Sequence, residues 1–146
     1  MKKRNIWKNV KFPLQLIHEK RGKIVDVFYK ENINHVAVID SKAGARRGDH
    51  YHKKTTQHML ITKGSLEYWH KPLNSKKPAT FELLEEGDLV STPPLEIHAL
   101  KIVRENQFIV FSEGKRGGKD YESDTYRVSS SIIGGRKDEI HHARKI

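Results

Sequence analysis

Apolar and polar residues alternate with a period of two along most of the chain, and no stretch sustains the 3.6-residue recurrence of an amphipathic helix. The alternation predicts strands over residues 24–29, 35–39, 50–52, 57–62, 65–70, 80–84, 88–91, 98–103, 107–112 and 124–133. Turn residues separate them: Lys63-Gly64, the proline-bounded stretch 72–78, Glu86-Gly87, Pro93-Pro94 and the glycine-rich stretch 114–118. Many short strands with such punctuation predict an all-β chain, an antiparallel sandwich or barrel. A length of 146 residues sets this at a single domain spanning 1–146.

Composition narrows the chemistry. There is no cysteine, which excludes a disulfide scaffold, a thiolate metal site and a cysteine nucleophile. No apolar run reaches the roughly 20 residues of a membrane helix, and the basic opening MKKRNIWKNVK leads into no apolar leader core. A cytoplasmic protein with no membrane partner is expected. The net charge of +10 raises nucleic acid as a partner, but much of the excess lies at the ends. Residues 1–11 carry five basic side chains and no acidic one, and residues 136–146 carry four against two. Both ends are expected to be mobile, solvated tails, and no nucleic-acid recognition motif accompanies them.

Candidate chemistry lies in the histidines. There are nine, and His50, His52, His58 and His70 fall within 21 positions. On a strand His50 and His52 share a face, about 6.6 Å apart at the usual rise. The turn after them returns Gln57, Met59 and Ile61 along one face, and His98 opens a later strand on the face of Leu100 and Ile102. His58 has the opposite parity to Gln57, and His70 ends its strand, so both are expected at the surface. Tyr68 and Trp69 adjoin, so at most one faces inward. Two close imidazoles should resist being charged together, leaving at least one free base at neutral pH.

Residues 44–64, GARRGDHYHKKTTQHMLITKG, and 87–98, GDLVSTPPLEIH, resemble the two sequence motifs of the cupin superfamily. The resemblance covers about residues 20–130 and implies a jelly-roll barrel (a double-stranded β-helix) whose mouth opens on Arg47, His50, His52, Gln57 and His98. It also implies a homodimer in which residues 5–18 complete the neighbour's sheet. In metal-binding cupins the positions matching His50, His52, Gln57 and His98 hold one divalent ion (Fe, Mn, Ni or Zn), usually with glutamate where Gln57 stands. The segments RRGDHYHKKTTQ, PPLEIHAL and DYESDTYR are similar to the sugar-nucleotide branch, the dTDP-4-keto-6-deoxyglucose 3,4-ketoisomerases and dTDP-4-dehydrorhamnose 3,5-epimerases. That likeness implies an isomerase or epimerase of a nucleotide-linked keto-deoxysugar that needs no cofactor. His50 and His52 would move the proton, while Arg47, Lys53, Gln57 and His98 would bind the substrate. The strand at 35–39 carries no tyrosine, where the ketoisomerases carry one that assists the transfer. A metal-dependent oxygenase or isomerase and a non-catalytic carbohydrate binder are the alternatives.

Overall fold

A computed structural model describes residues 1–135 and the backbone of Arg144 and Lys145. Eleven strands occur among them: β1 Lys2–Asn5, β2 Leu16–Glu19, β3 Gly22–Val25, β4 His35–Ser41, β5 Arg46–Tyr51, β6 Thr56–Pro72, β7 Thr80–Leu84, β8 Asp88–Thr92, β9 Glu96–Glu113, β10 Tyr126–Arg127 and β11 Arg144–Lys145. No helix among the described residues is long and apolar enough to cross a membrane. The chain is all-β, as the alternation predicts.

Two long antiparallel strands organise the barrel. β6 and β9 pair from Thr56↔Glu113 to Pro72↔Glu96, and each serves two sheets. The first half of β6 pairs with β8 and the second half with β7. β9 pairs first with β5 and then with β4. One sheet therefore runs β1-β8-β6-β9-β4, and the other β7-β6-β9-β5-β10-β11. Their inner faces meet in a core of Ile61, Leu66, Tyr68, Leu84, Val90, Leu100, Ile102 and Phe108.

The join between the sheets overturns one expected turn. Lys63-Gly64 continues β6 through a run of register shifts between Ile61 and Leu66. Gly64 has φ +76°, and a Cβ there would lie 2.2 Å from the Glu105 carbonyl oxygen of the facing strand. Glycine is required because the strand bends against its neighbour's backbone, not because the chain reverses. Likewise β9 runs unbroken where two strands were expected.

Both outer faces are covered in part. Residues in the 6–28 stretch lie over the first sheet, where Ile6, Leu60 and Leu89 pack with Val25, Val27, Phe28 and Phe111. Over the second, Val128 and Ile132 pack on Tyr51, Ile97 and Ala99. This corrects three expectations. Residues 2–5 are not a mobile tail but an edge strand in register with β8, and the Met1 amino group donates to the buried Glu96 carboxylate at 2.6 Å. The strand expected over 24–29 ends at Val25 and pairs with β2 outside the barrel. The one expected over 124–133 contracts to Tyr126–Arg127, because residues 128–133 serve as a covering loop. Of the carboxy-terminal residues 136–146 only the backbone of Arg144 and Lys145 is described, paired with β10, and His141 and His142 lie outside the described residues.

Candidate functional site

β5 and β9 set the histidines by register. Gly48 pairs with Ala99 and His50 with His98, so Asp49 is an extra residue in β5. Gly48 has φ +86°, and a Cβ there would stand 2.8 Å from the His98 carbonyl oxygen. This bulge lets two strands approach closely where the imidazoles meet. Ring centroids lie 5.0 Å apart for His50–His52, 4.7 Å for His50–His98 and 5.4 Å for His52–His98. One nitrogen from each ring falls within 4.8 Å of the others. His52 and His98 are buried and His50 is half-buried.

Carbonyl oxygens accept only, which fixes two tautomers. His52 Nδ1–H donates to the Asp124 carbonyl at 2.9 Å, and His98 Nδ1–H to the Glu96 carbonyl at 3.1 Å. Each neutral ring thus keeps its lone pair on Nε2. The His52 Nε2 stands 3.1 Å from the Gln57 amide. An imidazolium donates there to the amide oxygen, whereas a neutral ring accepts from the amide –NH2 after a half-turn of the carboxamide. Gln57 can therefore satisfy His52 before and after protonation. A carboxylate in its place would favour only the charged ring.

Burial holds the cluster in its basic form. Burial pushes the His98 imidazole down to about 3, assisted by the charge of His52 and Arg116. His50 lies well below its ordinary value, first from burial and then from His98, His52, Arg127 and Arg116. His52 is lowered too, by burial, although its bonds to Asp124 and Gln57 oppose this. An unfolded chain takes up protons at these rings near 6.5, whereas in the folded chain His98 and His50 take them up only well below that value and His52 at a lowered one. Stability should accordingly fall as pH drops below about 6.5, by about 1.4 kcal/mol per pH unit for each fully depressed ring. Urea midpoints between pH 7 and 5 measure this, and His98→Asn should flatten the slope. An equally steep slope in the variant would refute the assignment.

Tyr68 completes the inner wall. It is fully buried, its ring stacks on His98 at 6.2 Å, and its hydroxyl is hydrogen-bonded to that of Thr92. Burial pushes its phenol well above the usual range, so it stays a hydrogen-bond donor. Trp69 turns outward onto Phe81. A tyrosine thus faces the barrel interior from β6, a placement that strand parity left undecided between Tyr68 and Trp69.

Other expected residues take different places. The Arg47 guanidinium donates to the Ser41 hydroxyl at 2.8 Å and the Asp40 carbonyl at 3.1 Å, at the β4–β5 margin. The arginines whose charge reaches the imidazoles are Arg116 and Arg127, which donate to the Thr125 hydroxyl and the Gly48 carbonyl. The exposed Lys53 ammonium lies 4.4 Å over the Tyr126 ring. His58 is not at the surface. It is buried under the amino-terminal segment, between Ser91 and Glu113. His70 is half-buried beside Tyr68. Asp124, which lies in the DYESDTYR segment but was expected to play no part in the site, accepts from the backbone N–H groups of Lys53, Lys54 and Thr55 and from the Thr55 hydroxyl, and so fixes the turn that carries His52.

The donor set fits a divalent ion held by His50, His52 and His98, with the Gln57 amide as a neutral fourth ligand. Such an ion would supply a Lewis acid for a substrate carbonyl.

Two sheets sharing β6 and β9 around inward imidazoles define a cupin jelly-roll barrel. The family model of the polysaccharide biosynthesis C-terminal domain matches residues 17–126, and the chain belongs to that family. Solved structures share the fold. The dTDP-4-dehydrorhamnose 3,5-epimerase of Sulfolobus tokodaii superposes with a TM-score of 0.65 at 19% identity, over 81% of this chain and 75% of that one. QdtA of Thermoanaerobacterium thermosaccharolyticum, a sugar 3,4-ketoisomerase in complex with TDP, gives 0.63 at 19%, over 80% and 85%. The capsular polysaccharide assembling protein CapF of Staphylococcus aureus gives 0.57 at 19%, over 80% of this chain and 34% of that one. No curated protein matches the sequence.

Proposed function

We propose that the chain isomerises or epimerises a nucleotide-linked 4-keto-6-deoxy sugar in polysaccharide or glycoconjugate synthesis, by histidine-mediated proton transfer. The carrying observation is the cluster of three neutral imidazoles with a protonated phenol stacked on one of them. A carbon beside a ketone gives up its proton to a base of near-neutral or lower basicity only if the oxyanion that forms is stabilised. His52, whose Nε2 lone pair has the Gln57 amide as its hydrogen-bond partner, is the base, and Gln57 follows its change of charge. Tyr68 and the cationic Arg116 supply donors and positive potential for the enolate oxygen. Protonation of the former carbonyl carbon, with His50 as the second carrier taking the proton of the adjacent hydroxyl, gives the shifted ketone, and return of a proton to the same carbon from its opposite face gives the inverted centre. At the mouth, Arg127 and Lys53 meet the diphosphate, with Arg47 at the margin. The fold shared with epimerases and a ketoisomerase, and the family's place in polysaccharide synthesis, support this reading.

The test incubates the chain with dTDP-4-keto-6-deoxyglucose in D2O. Deuterium entering at the carbons beside the ketone, with a new keto sugar or epimer by NMR, is expected. TDP alone should raise the melting temperature by mass action. Chelation should leave turnover unchanged. A stoichiometric transition metal whose removal abolishes turnover would replace the metal-free mechanism with the three-histidine metal reading. The proposal includes a homodimer, supported by Val36 and Val38, which are 54% and 60% exposed on β4. A monomer at micromolar concentration in sedimentation would overturn that part.

A further inference from the structure

Outside the barrel, the amino-terminal segment and the first sheet enclose a groove of two chambers. One holds ≈ 420 Å³ and the other ≈ 290 Å³, and Arg4, Lys11 and Leu14 line both. The larger is basic, with Lys3, Arg4, Lys8 and Lys11 on its walls and no carboxylate. The smaller is aromatic: Phe12, Phe28 and Tyr29 surround a polar floor of His58 and Ser91. That floor is already satisfied. His58 Nε2–H donates to Glu113 at 3.1 Å, and the Ser91 hydroxyl donates to Nδ1 at 2.7 Å. Phe28 packs edge-on against His58 at 4.9 Å and holds it there.

The rest of the groove is not satisfied. Arg4 uses one N–H on the Val27 carbonyl and has no other hydrogen-bond acceptor among the described residues. Lys8 and Lys11 have no hydrogen-bond or ion-pair partner among them, while Lys3 is shared with Glu82. Phe12 is 91% exposed and Tyr29 51%. Glu31, the single carboxylate lining either chamber, stands in the aromatic one, so an anionic group is directed into the basic one. Each chamber is near the size of a small-ligand site.

We propose that this groove is a second ligand site, separate from the barrel, for a phosphorylated compound bearing a flat ring. The phosphate lies among Arg4, Lys8 and Lys11, and the ring lies against Phe12, Phe28 and Tyr29. Arginine and lysine supply the fork and point charges that phosphate oxygens accept, and the exposed rings offer faces for stacking. The two sites stand back to back. His58 and Ser91 adjoin Gln57 and Thr92, which face the barrel interior, and Gln57 pairs with Thr92 as His58 does with Ser91.

Phenyl phosphate titrated into the full chain, followed by calorimetry and by the His58 ring NMR signals, tests this. Saturable binding at one per chain is expected, weakened about tenfold or more in the Lys8→Gln/Lys11→Gln double variant. Phe12→Ala should weaken it several-fold. Both changes are at exposed side chains, so the fold is retained. The barrel variant His50→Asn should bind within about twofold of the parent. Inorganic phosphate binding as tightly as phenyl phosphate would mean an adventitious ion only and would overturn the proposal. So would no saturation by about 10 mM, or binding lost in His50→Asn and kept in the lysine variant.

Discussion

Asparagine in place of His52 should abolish turnover, lowering kcat by about a thousandfold or more, while the chain stays folded. The imidazole is the group whose Nε2 lies beside Gln57, which accommodates its charge, and an amide cannot carry the proton. His50→Asn should be severely impaired for the same reason. Little stability should be lost at neutral pH, because the rings are held neutral and the asparagine amide keeps a donor and an acceptor at each place. Melting temperature and deuterium exchange into the substrate, measured on the same preparations, decide the matter. Unfolded variants whose remaining folded fraction is fully active would make both histidines packing residues.

Asp124→Ala should cost about 3–5 kcal/mol of stability. One carboxylate accepts from three backbone N–H groups at 3.0, 2.9 and 2.8 Å and from the Thr55 hydroxyl at 2.9 Å. Removing it leaves those donors unpaired at a buried turn, where each lost partner is costly. Burial alone would raise its pKa, but the N–H groups of Lys54 and Lys53, with Thr55, outweigh this and lower it below 3.8. Its contribution is therefore present above about pH 4 and is lost as pH falls through the folded value. Urea denaturation should show parent and variant far apart at pH 7 and converging in strong acid. A constant difference down to pH 2 would mean that the carboxylate charge is not what holds the turn. The folded fraction of the variant should also turn over slowly, since the carboxylate fixes the turn after His52 and so holds the ring against the residue-124 carbonyl.

Alternation made β4 readable, because it keeps one face inward along its whole length. It failed at β6, where the bulge around Gly64 resets parity. Gln57 and Ile61 face inward before it, and Leu66 and Tyr68 after it. No rule of two carries across such a shift, which is why Tyr68 and Trp69 stayed unresolved. The amino terminus read as a tail because an edge strand guarded by Lys2, Lys3 and Arg4 has a tail's composition. His58 was assigned the correct side of its strand. Its burial depends on a distant segment lying over that side, which strand periodicity does not show. The histidine trio was legible because two short motifs place it, whereas Arg116 comes from a glycine-rich loop and Arg127 from the two-residue strand β10, which is too short to show a period.

β9 also dictates the order in which the chain assembles. Its partners β4, β5 and β6 all precede it, and β4 pairs with no other strand among the described residues. During synthesis those strands emerge with open edges and wait for residues 96–113, so the barrel cannot close on a nascent chain that lacks them. Contacts between residues as far apart as Thr56 and Glu113 make folding slow for a domain of this size, on a scale of milliseconds to seconds. A chain stalled before residue 113 exposes apolar strand edges, and there aggregation competes with folding.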